Sequence, residues 1–280
     1  MDDSKEGSKI NELIKKYNIT QMKKWHVNQA NKDGKVKKGG RTRKSGTSSK
    51  NQQFWNKEYK DAPHLTLSIN PSEDLQKFTR YLEREYGRHY LNPIVSVIDL
   101  GCGNGRNLIF LSNTFGMRGV GYDISREAIS QAKKNSEGLP LSYEVRSITE
   151  PLQVPNSSQT LVLDMMTSHF LINSEEVKQR DLLQDEILRV LKPDGWLFFK
   201  TFLLDEDLNA KRLLKDNPAE EAGSYIHPEI GVAEHVFTEK EIVEFLSPHF
   251  IIHKILKSHR HLQNGKAHKR RSISVYAQKR

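Results

Sequence analysis

The stretch from Val97 to Arg106 reads Val-Ile-Asp-Leu-Gly-Cys-Gly-Asn-Gly-Arg. An apolar, β-branched run ends there in an aspartate, glycines follow at every second position, and an apolar segment typical of a helix comes next. The pattern predicts a strand, a glycine-rich turn and a helix. Glycine tolerates positive φ and lets a ligand approach the bare main chain. Free N–H groups at the helix start would attract polar or negative groups of that ligand.

The spacing of these glycines differs from the dinucleotide-binding fingerprint Gly-x-Gly-x-x-Gly. That fingerprint needs its third glycine at position 106, where this chain has Arg106. Without that glycine the turn lacks the close approach that a pyrophosphate requires. The sequence therefore disfavours nicotinamide and flavin dinucleotides as ligands.

A second strand-like segment, Gly119–Tyr122, ends in Asp123. An acid at the tip of the second strand of such a sheet can accept hydrogen bonds from both hydroxyls of a ribose. Asp123 therefore indicates a ligand that contains a ribose, without selecting a particular cofactor.

Two further segments complete the pattern, because Leu161–Asp164 ends a fourth apolar run and Val190–Trp196 precedes a fifth. Together with the glycine turn and Asp123, they resemble the class I methyltransferases that depend on S-adenosylmethionine (SAM). The resemblance covers about residues 54–280 and implies an enzyme with SAM as its cofactor. It implies the following cofactor-binding residues: Asp99, Gly101, Cys102, Gly103, Asn104, Gly105, Asp123, Ile124, Ser147, Ile148, Asp164 and Met165.

Within this set, the resemblance places the loop glycines against the cofactor, Asp99 near its amino-acid part and Asp123 at its ribose. Members of the family often have an acid after the third strand, against the adenine amino group. This chain has Arg146-Ser147-Ile148 there. Only Ser147 and the main chain of Ile148 are therefore candidates for that contact.

Alternating strand and helix patterns predict an α/β fold with a parallel sheet covered by helices on both faces. The resemblance makes this a Rossmann-like, doubly wound sheet of seven strands whose last pair is antiparallel. The predicted strands are 94–100, 119–123, 141–146, 160–166, 196–202, 250–257 and 272–278. The predicted helices are 70–87, 105–114, 125–136, 174–191, 205–215 and one that begins after Thr238.

Basic residues are concentrated at the two ends of the chain. Residues 1–60 contain 16 Lys and Arg against 6 Asp and Glu, and residues 251–280 contain 9 against none. Residues 1–53 have too little apolar surface to offset the entropy of ordering, so we expect a flexible basic arm there. The methyltransferase domain, residues 54–280, would begin at Phe54 and Trp55, which pack on the body or cover the cofactor.

The basic segments 32–50 and 259–271 would form an electrostatic footprint for RNA if both lay at the sheet edge that holds the cofactor. Basic tails also serve solubility, nuclear import or contact with anionic membranes. The chain has no apolar leader and no apolar run of membrane-spanning length, so we expect a cytoplasmic or nuclear protein. Cys102 is the only cysteine, which excludes an internal disulfide. The sequence leaves the oligomeric state open.

One candidate catalytic residue follows the fourth predicted strand. His169 would lie at the edge where ligands bind in open α/β sheets and would act as a general base toward an oxygen or nitrogen acceptor. A histidine that is hydrogen-bonded within the following loop fits the same pattern. Further along, His227 and His235 stand among carboxylates, but they lack the i, i+4 spacing of helical metal ligands. We therefore expect no metal.

The sequence thus predicts transfer of a methyl group from SAM, with RNA or an RNA-bound molecule as the acceptor. A small molecule or a protein side chain is the alternative acceptor, and segment 203–237 would shape its site. A third hypothesis is a SAM-binding protein without catalysis that associates with nucleic acid.

Overall fold

The computed structural model describes residues 46–61, 64, 67–258, 262–263, 266–267 and 270–280. Its central strands are β1 (Ser96–Leu100), β2 (Arg118–Asp123), β3 (Leu141–Val145), β4 (Gln159–Met165), β5 (Leu191–Phe202), β8 (Phe250–Lys257) and β11 (Ser272–Lys279). Two short pairs form separate ribbons: β6 (Ser224–Ile226) with β7 (Ala233–His235), and β9 (Leu262–Gln263) with β10 (Lys266–Ala267). The helices are α1 (Gly46–Asp61), α2 (Glu73–Tyr86), α3 (Arg106–Phe115), α4 (Arg126–Asn135), α5 (Gln179–Val190), α6 (Leu208–Asp216) and α7 (Glu239–Leu246).

The central strands form one seven-stranded sheet in the order β3-β2-β1-β4-β5-β11-β8. Strands β1 to β5 run parallel, and β11 runs antiparallel to both of its neighbours. The predicted Rossmann-like α/β fold with seven strands and an antiparallel last pair is confirmed. After β3 at the edge of the sheet, the chain crosses back to its middle, where β4 pairs with β1, so the carboxyl ends of β1, β2 and β4 lie side by side at one edge.

Alternate residues of each strand enter different apolar layers, as expected for a sheet covered on both faces. Val97, Leu161 and Trp196 pack with the buried side of α2 and α3. Their sequence neighbours Ile98, Val162 and Leu197 pack on the other face, with α5 and α7. The two layers fix the sheet from both sides and leave its carboxyl edge to the loops that form the site.

Side-chain caps start three of the helices. Ser125 accepts a hydrogen bond from the Ala128 N–H at the start of α4, and Asp207 accepts from Asn209 and Ala210 at the start of α6. Thr238 accepts from the Glu241 N–H before α7, as its capping pattern predicts. Each cap satisfies N–H groups that have no partner within the helix.

Three local features differ from the sequence prediction. Helix α1 begins at Gly46 and crosses the predicted boundary at residue 53, because Trp55 and Asn56 pack on the body. Residues 1–45 of the predicted arm lie outside the described residues. Helix α5 begins at Gln179 and not at Ser174, whose hydroxyl closes a turn with the Val177 N–H. The β6–β7 hairpin within segment 203–237 was not predicted.

Candidate active site

The glycine turn follows β1 and is as tight as its composition indicates. Gly101, Gly103 and Gly105 have φ values of +70°, +55° and +82°. The N–H groups of Gly101 and Cys102 both donate to the carbonyl of Tyr122 at the end of β2. A Cβ added to Gly101 would lie 2.3 Å from Thr167 Oγ1. A side chain at Gly101 is therefore excluded by both conformation and space.

Asp99 lies beneath the turn and is 1% exposed. Burial raises the pKa of Asp99 to about 8; Arg106 opposes that rise, and Asp123 and Asp164 add to it. Its Oδ2 atom makes no hydrogen bond within the described residues. A buried acceptor without a partner is costly, so Asp99 is suited to receive a cationic group of a ligand.

Asp123 lies where the sequence predicts, at the end of β2 beside the turn. Its Oδ2 accepts from the Gly103 N–H at 2.9 Å and its Oδ1 accepts from the Ser125 N–H at 2.8 Å. Burial raises the pKa of Asp123, and these N–H donors oppose the rise. The carboxylate thus fixes the glycine turn to the start of α4, and each oxygen keeps a further lone pair for a ribose hydroxyl.

Asp164 ends β4 on the other side of β1. Its Oδ1 accepts from the Ser168 N–H at 3.1 Å, and burial raises the pKa of Asp164 to about 6. The next residue, Met165, accepts a hydrogen bond from the Asn107 amide at its sulfur. Asp164 therefore anchors the turn that carries His169, and the pairing of β4 with β1 brings that turn beside Asp99.

The other predicted cofactor residues take the following positions. Cys102 is buried in the turn, where burial raises the pKa of its thiol. Asn104 donates from its amide to the Ser68 carbonyl. Ile124 follows β2 and accepts from Gln52 at its carbonyl. After β3, the Ser147 hydroxyl bonds that of Thr149, and Ile148 is buried in the core.

Helix α1 covers this edge of the sheet. From the sequence we expect Phe54 and Trp55 to pack on the body or cover the cofactor, but the sequence does not predict this helix. Asn56 Oδ1 accepts from the Arg126 N–H at 2.7 Å and from the Ser125 hydroxyl at 3.1 Å. The Tyr59 hydroxyl approaches the glycine turn so closely that a Cβ on Gly103 would lie 2.2 Å from it. Trp55 meets Phe170 edge to face with ring centroids 5.0 Å apart. The helix therefore contacts both the cofactor turn and the turn that carries His169.

His169 is 1% exposed, and neither ring nitrogen has a hydrogen-bond partner within the described residues. The structure thus does not support the alternative in which the following loop satisfies this histidine. Burial lowers the pKa of His169 to about 3, and Arg270 and His235 lower it further. Its ring meets Phe202 edge to face at a centroid distance of 5.1 Å. His169 is therefore a neutral imidazole in an aromatic environment.

A network of buried charges lies beyond His169 on the β6–β7 hairpin. Tyr225 donates its hydroxyl to Glu234, and Arg270 donates to both of these side chains. His235 joins the Ser224 hydroxyl to Glu241, at 2.9 and 2.7 Å. The sequence shows many histidines and carboxylates in this segment, but their number does not predict which side chains form hydrogen bonds with each other.

Arg270 and Arg271 belong to the segment that the sequence analysis assigned to RNA. In the structure Arg270 pairs with Glu234 at 2.9 Å, and Arg271 pairs with Glu206 at 2.9 Å. Both guanidinium groups thus contact carboxylates of the folded body. The side chains of 259–269, and residues 32–45 of the other segment, lie outside the described part of the chain.

Within the described residues, no group of three or more His, Cys, Asp or Glu side chains is placed to hold a metal ion. The same part of the chain contains no helix that is long and apolar enough to cross a membrane.

Comparison with known proteins identifies the family. A family model described as "Methyltransferase domain" matches residues 91–258. The chain belongs to this family. It is a SAM-dependent methyltransferase. A SAM-dependent methyltransferase structure from Methanosarcina mazei has 29% sequence identity and a TM-score of 0.55, and the match covers 69% of this chain and 95% of that one.

Two further similar proteins are named as methyltransferases that act on different acceptors. A fatty-acid O-methyltransferase from Mycolicibacterium smegmatis is 22% identical over 147 residues, and this chain spans about half of its length, with 52% of this chain and 51% of that protein aligned. A geranyl diphosphate C-methyltransferase from Streptomyces coelicolor, in complex with S-adenosylhomocysteine (SAH), shares the fold at 14% identity and a TM-score of 0.56, with 85% and 100% of the chains covered.

The residues of the site fit SAM. The turn of Gly101, Gly103 and Gly105 lies at the carboxyl ends of β1 and β2, with Thr167, Tyr59 and Tyr143 packed against its glycines, and Asp123 offers carboxylate oxygens at its side. The unpartnered oxygen of Asp99 would accept a hydrogen bond from the cofactor's ammonium group. These residues would hold the methionine and ribose parts of the cofactor.

Proposed function

We propose that this methyltransferase methylates an oxygen of a small molecule that binds beside His169. The observation that carries the proposal is the buried, unpartnered imidazole of His169 between the rings of Phe170 and Phe202. An apolar environment with a few polar atoms is typical of small-ligand sites. A large acceptor would reach this imidazole only through a protruding group.

SAM supplies a methyl group on a sulfonium, which is a strong leaving group. The protein's own contribution is then to hold the acceptor atom in line with that methyl, and orientation of this kind supplies about 7 to 11 kcal/mol. The glycine turn and Asp123 fix the cofactor side, and Trp55 presses α1 against the turn that carries His169. Closure by α1 also excludes water from the reacting atoms.

His169 contributes a hydrogen bond and is a neutral imidazole at pH 7, because burial lowers its pKa to about 3. An acceptor that is already a good nucleophile, such as an ionised oxygen, needs no stronger base. The M. smegmatis relative is named as a fatty-acid O-methyltransferase, which supports an oxygen as the acceptor atom.

The test is methyl transfer from SAM labelled in its methyl group to a cell extract, separated afterwards into small molecules, RNA and protein. We expect the label in the small-molecule fraction, with an amount that RNase does not change. His169→Gln should lower turnover at least tenfold and leave SAH affinity unchanged. The matched control His89→Gln changes an exposed histidine and should behave as wild type. Label confined to RNA or protein would contradict the proposal.

One observation favours RNA as a second candidate acceptor. Strand β8 ends where β11 begins, with Lys257 opposite Ile273, and Ser272 lies opposite Phe202 at the end of β5. The basic connection 258–271 therefore starts and finishes at the cofactor edge of the sheet. RNA binding by this connection and by segment 32–50 predicts an affinity that falls steeply with salt. Deleting residues 1–45 should then lower turnover, whereas a small-molecule enzyme would be unaffected.

A further inference from the structure

The guanidinium group of Arg270 is bound to the protein along one side only. Its Nη1 atom donates to Glu234 Oε2 at 2.9 Å and to the Tyr225 hydroxyl. Its plane lies over the ring of Phe202, with Cζ 3.8 Å from the centroid. Nε and Nη2 are buried and make no hydrogen bond within the described residues. These two nitrogens carry parallel N–H groups on one edge of the guanidinium.

This edge needs an acceptor, because a guanidinium group has five N–H donors and no acceptor atom. The nearest carboxylate on that side is Asp207, whose Oδ2 lies 4.0 Å from Nε. Asp207 is held in place by other donors: Asn209 and Ala210 donate to Oδ1, and the Arg271 N–H donates to Oδ2 at 2.8 Å. Asp207 therefore balances part of the charge and leaves both N–H groups unbonded.

The unpartnered Nε–Nη2 edge of Arg270 lies in the same environment as His169. Arg270 and His169 share Phe202 as a neighbour, one over its face and the other at its edge. The guanidinium charge of Arg270 lowers the pKa of His169, so the two side chains interact electrostatically. Unpartnered N–H donors on a charged guanidinium favour an anionic acceptor. Four buried nitrogens without partners, two on each side chain, thus lie around one aromatic ring.

We propose that the Nε–Nη2 edge of Arg270 binds a carboxylate of the acceptor, an inference that rests on the small-molecule acceptor proposed above. Two parallel N–H donors match the two coplanar oxygens of a carboxylate, and such paired bonds are among the strongest in proteins. Glu234 and Tyr225 hold the opposite side of the guanidinium, so the edge is presented in one orientation. Arg270 is thereby a specificity-determining residue.

The test measures binding without methyl transfer. The full chain is loaded with SAH and titrated calorimetrically with acetate, benzoate and octanoate, and then with the amide of each. We expect at least one carboxylate to bind and its amide to bind at least tenfold more weakly. Arg270→Lys, which keeps the charge and loses the fork, should weaken carboxylate binding about tenfold, and Arg270→Gln should abolish it.

The matched control is Arg271→Lys, since Arg271 donates to Glu206 and to the carbonyls of Asp205 and Ser258. It should leave carboxylate binding unchanged. SAH affinity, measured on every variant, reports that the fold is intact. The proposal is overturned if no carboxylate binds, if amides bind equally well, if Arg270→Gln binds as wild type does, or if inorganic phosphate binds in their place. Because no methyl transfer is measured, this result is separate from the identity of the methylated fraction.

Discussion

The cofactor side and the acceptor side of the candidate active site are built in opposite ways. On the cofactor side, main-chain hydrogen bonds within a few residues of β1 and β2 shape the site, such as those that the N–H groups of Gly101 and Gly103 donate to Tyr122 and Asp123. On the acceptor side, it depends on side chains that are far apart in sequence, such as His169, Tyr225 and Arg270. Main-chain geometry tolerates few substitutions, whereas side-chain networks can be exchanged one member at a time. The cofactor side therefore determines the kind of reaction, and we expect the acceptor side to determine which acceptor binds.

The largest effect that this comparison predicts is at Gly101. Gly101→Ala forces a Cβ to within 2.3 Å of Thr167 Oγ1 at a φ of +70°, so the turn and the His169 segment cannot keep their positions. We expect SAH affinity to fall by more than about a hundredfold, since backbone strain alone costs about 1 to 3 kcal/mol and the collision adds to it. Isothermal titration of the purified variant measures this loss.

Gly138→Ala is the control for that substitution. Gly138 has a φ of +81°, but nothing lies within 4 Å of its added Cβ. This variant should lose about 1 to 2 kcal/mol of stability from the left-handed conformation and keep its affinity for SAH. Equal affinity losses in the two variants would show that general destabilisation, and not the geometry of the glycine turn, causes the loss at Gly101.

The next effect is at Asp123, where charge and geometry act together. Asp123→Asn leaves one carbonyl oxygen for two N–H donors, those of Gly103 and Ser125, so one of them loses its acceptor. Hydrogen bonds to charged groups are worth about 1.5 to 3 kcal/mol, so we expect SAH to bind about tenfold to a hundredfold more weakly. Asp185→Asn, at an exposed position on α5, is the control. An unchanged affinity in Asp123→Asn would exclude Asp123 from cofactor binding.

Asp99 gives the cofactor side a pH dependence. Burial raises the pKa of Asp99 to about 8, so the free protein holds this proton at pH 7. The ammonium group of a bound cofactor favours the ionised form, and binding should then release a proton. We expect SAH affinity to rise with pH between about 6 and 8 and to level off above the pKa.

Calorimetry in buffers of different ionisation enthalpy counts the released proton. Asp99→Asn should bind SAH more weakly and show only the pH dependence that comes from the ligand's own amino group. The difference between the two proteins therefore belongs to Asp99. If the variant and the wild type had the same pH profile, Asp99 would not be the titrating group.

The contrast between local main-chain structure and long-range side-chain pairs also explains which features the sequence predicts and which it does not. The strand positions, the glycine turn and Asp123 follow from local patterns, because strand periodicity and positive φ are encoded by adjacent residues. The arrangement of the strands in one seven-stranded sheet followed from the resemblance to the methyltransferase family. The start of α5 was placed five residues too early because Ser174 forms a turn of its own with Val177. Arg270 looked like one member of a basic run, and its pairing with Glu234 arises only when β11 aligns with β5. Long-range side-chain pairs leave no periodic signal.

Helix α1 is the main element that the amino-acid composition did not predict. Its sequence, Gly46–Asp61, is polar and continues a basic run, so it resembles the preceding segment. Its ordering depends on contacts with distant residues: Gln52 with the Ile124 carbonyl, Asn56 with the start of α4, and Trp55 with Phe170. Because these contacts reach both the cofactor side and the acceptor side of the site, α1 connects the two.

The smallest predicted effect tests that connection. Asn56→Ala removes the acceptor for the Arg126 N–H and the Ser125 hydroxyl, which costs about 1 kcal/mol of unfolding free energy, as for a lost helix cap. It should also speed SAH dissociation a few-fold, since α1 is then held less firmly over the glycine turn. Gln53→Ala, exposed on the same helix, controls for helix propensity. If Asn56→Ala lowered stability but left the dissociation rate unchanged, α1 would brace the fold without covering the cofactor, and the cofactor side and the acceptor side would be independent.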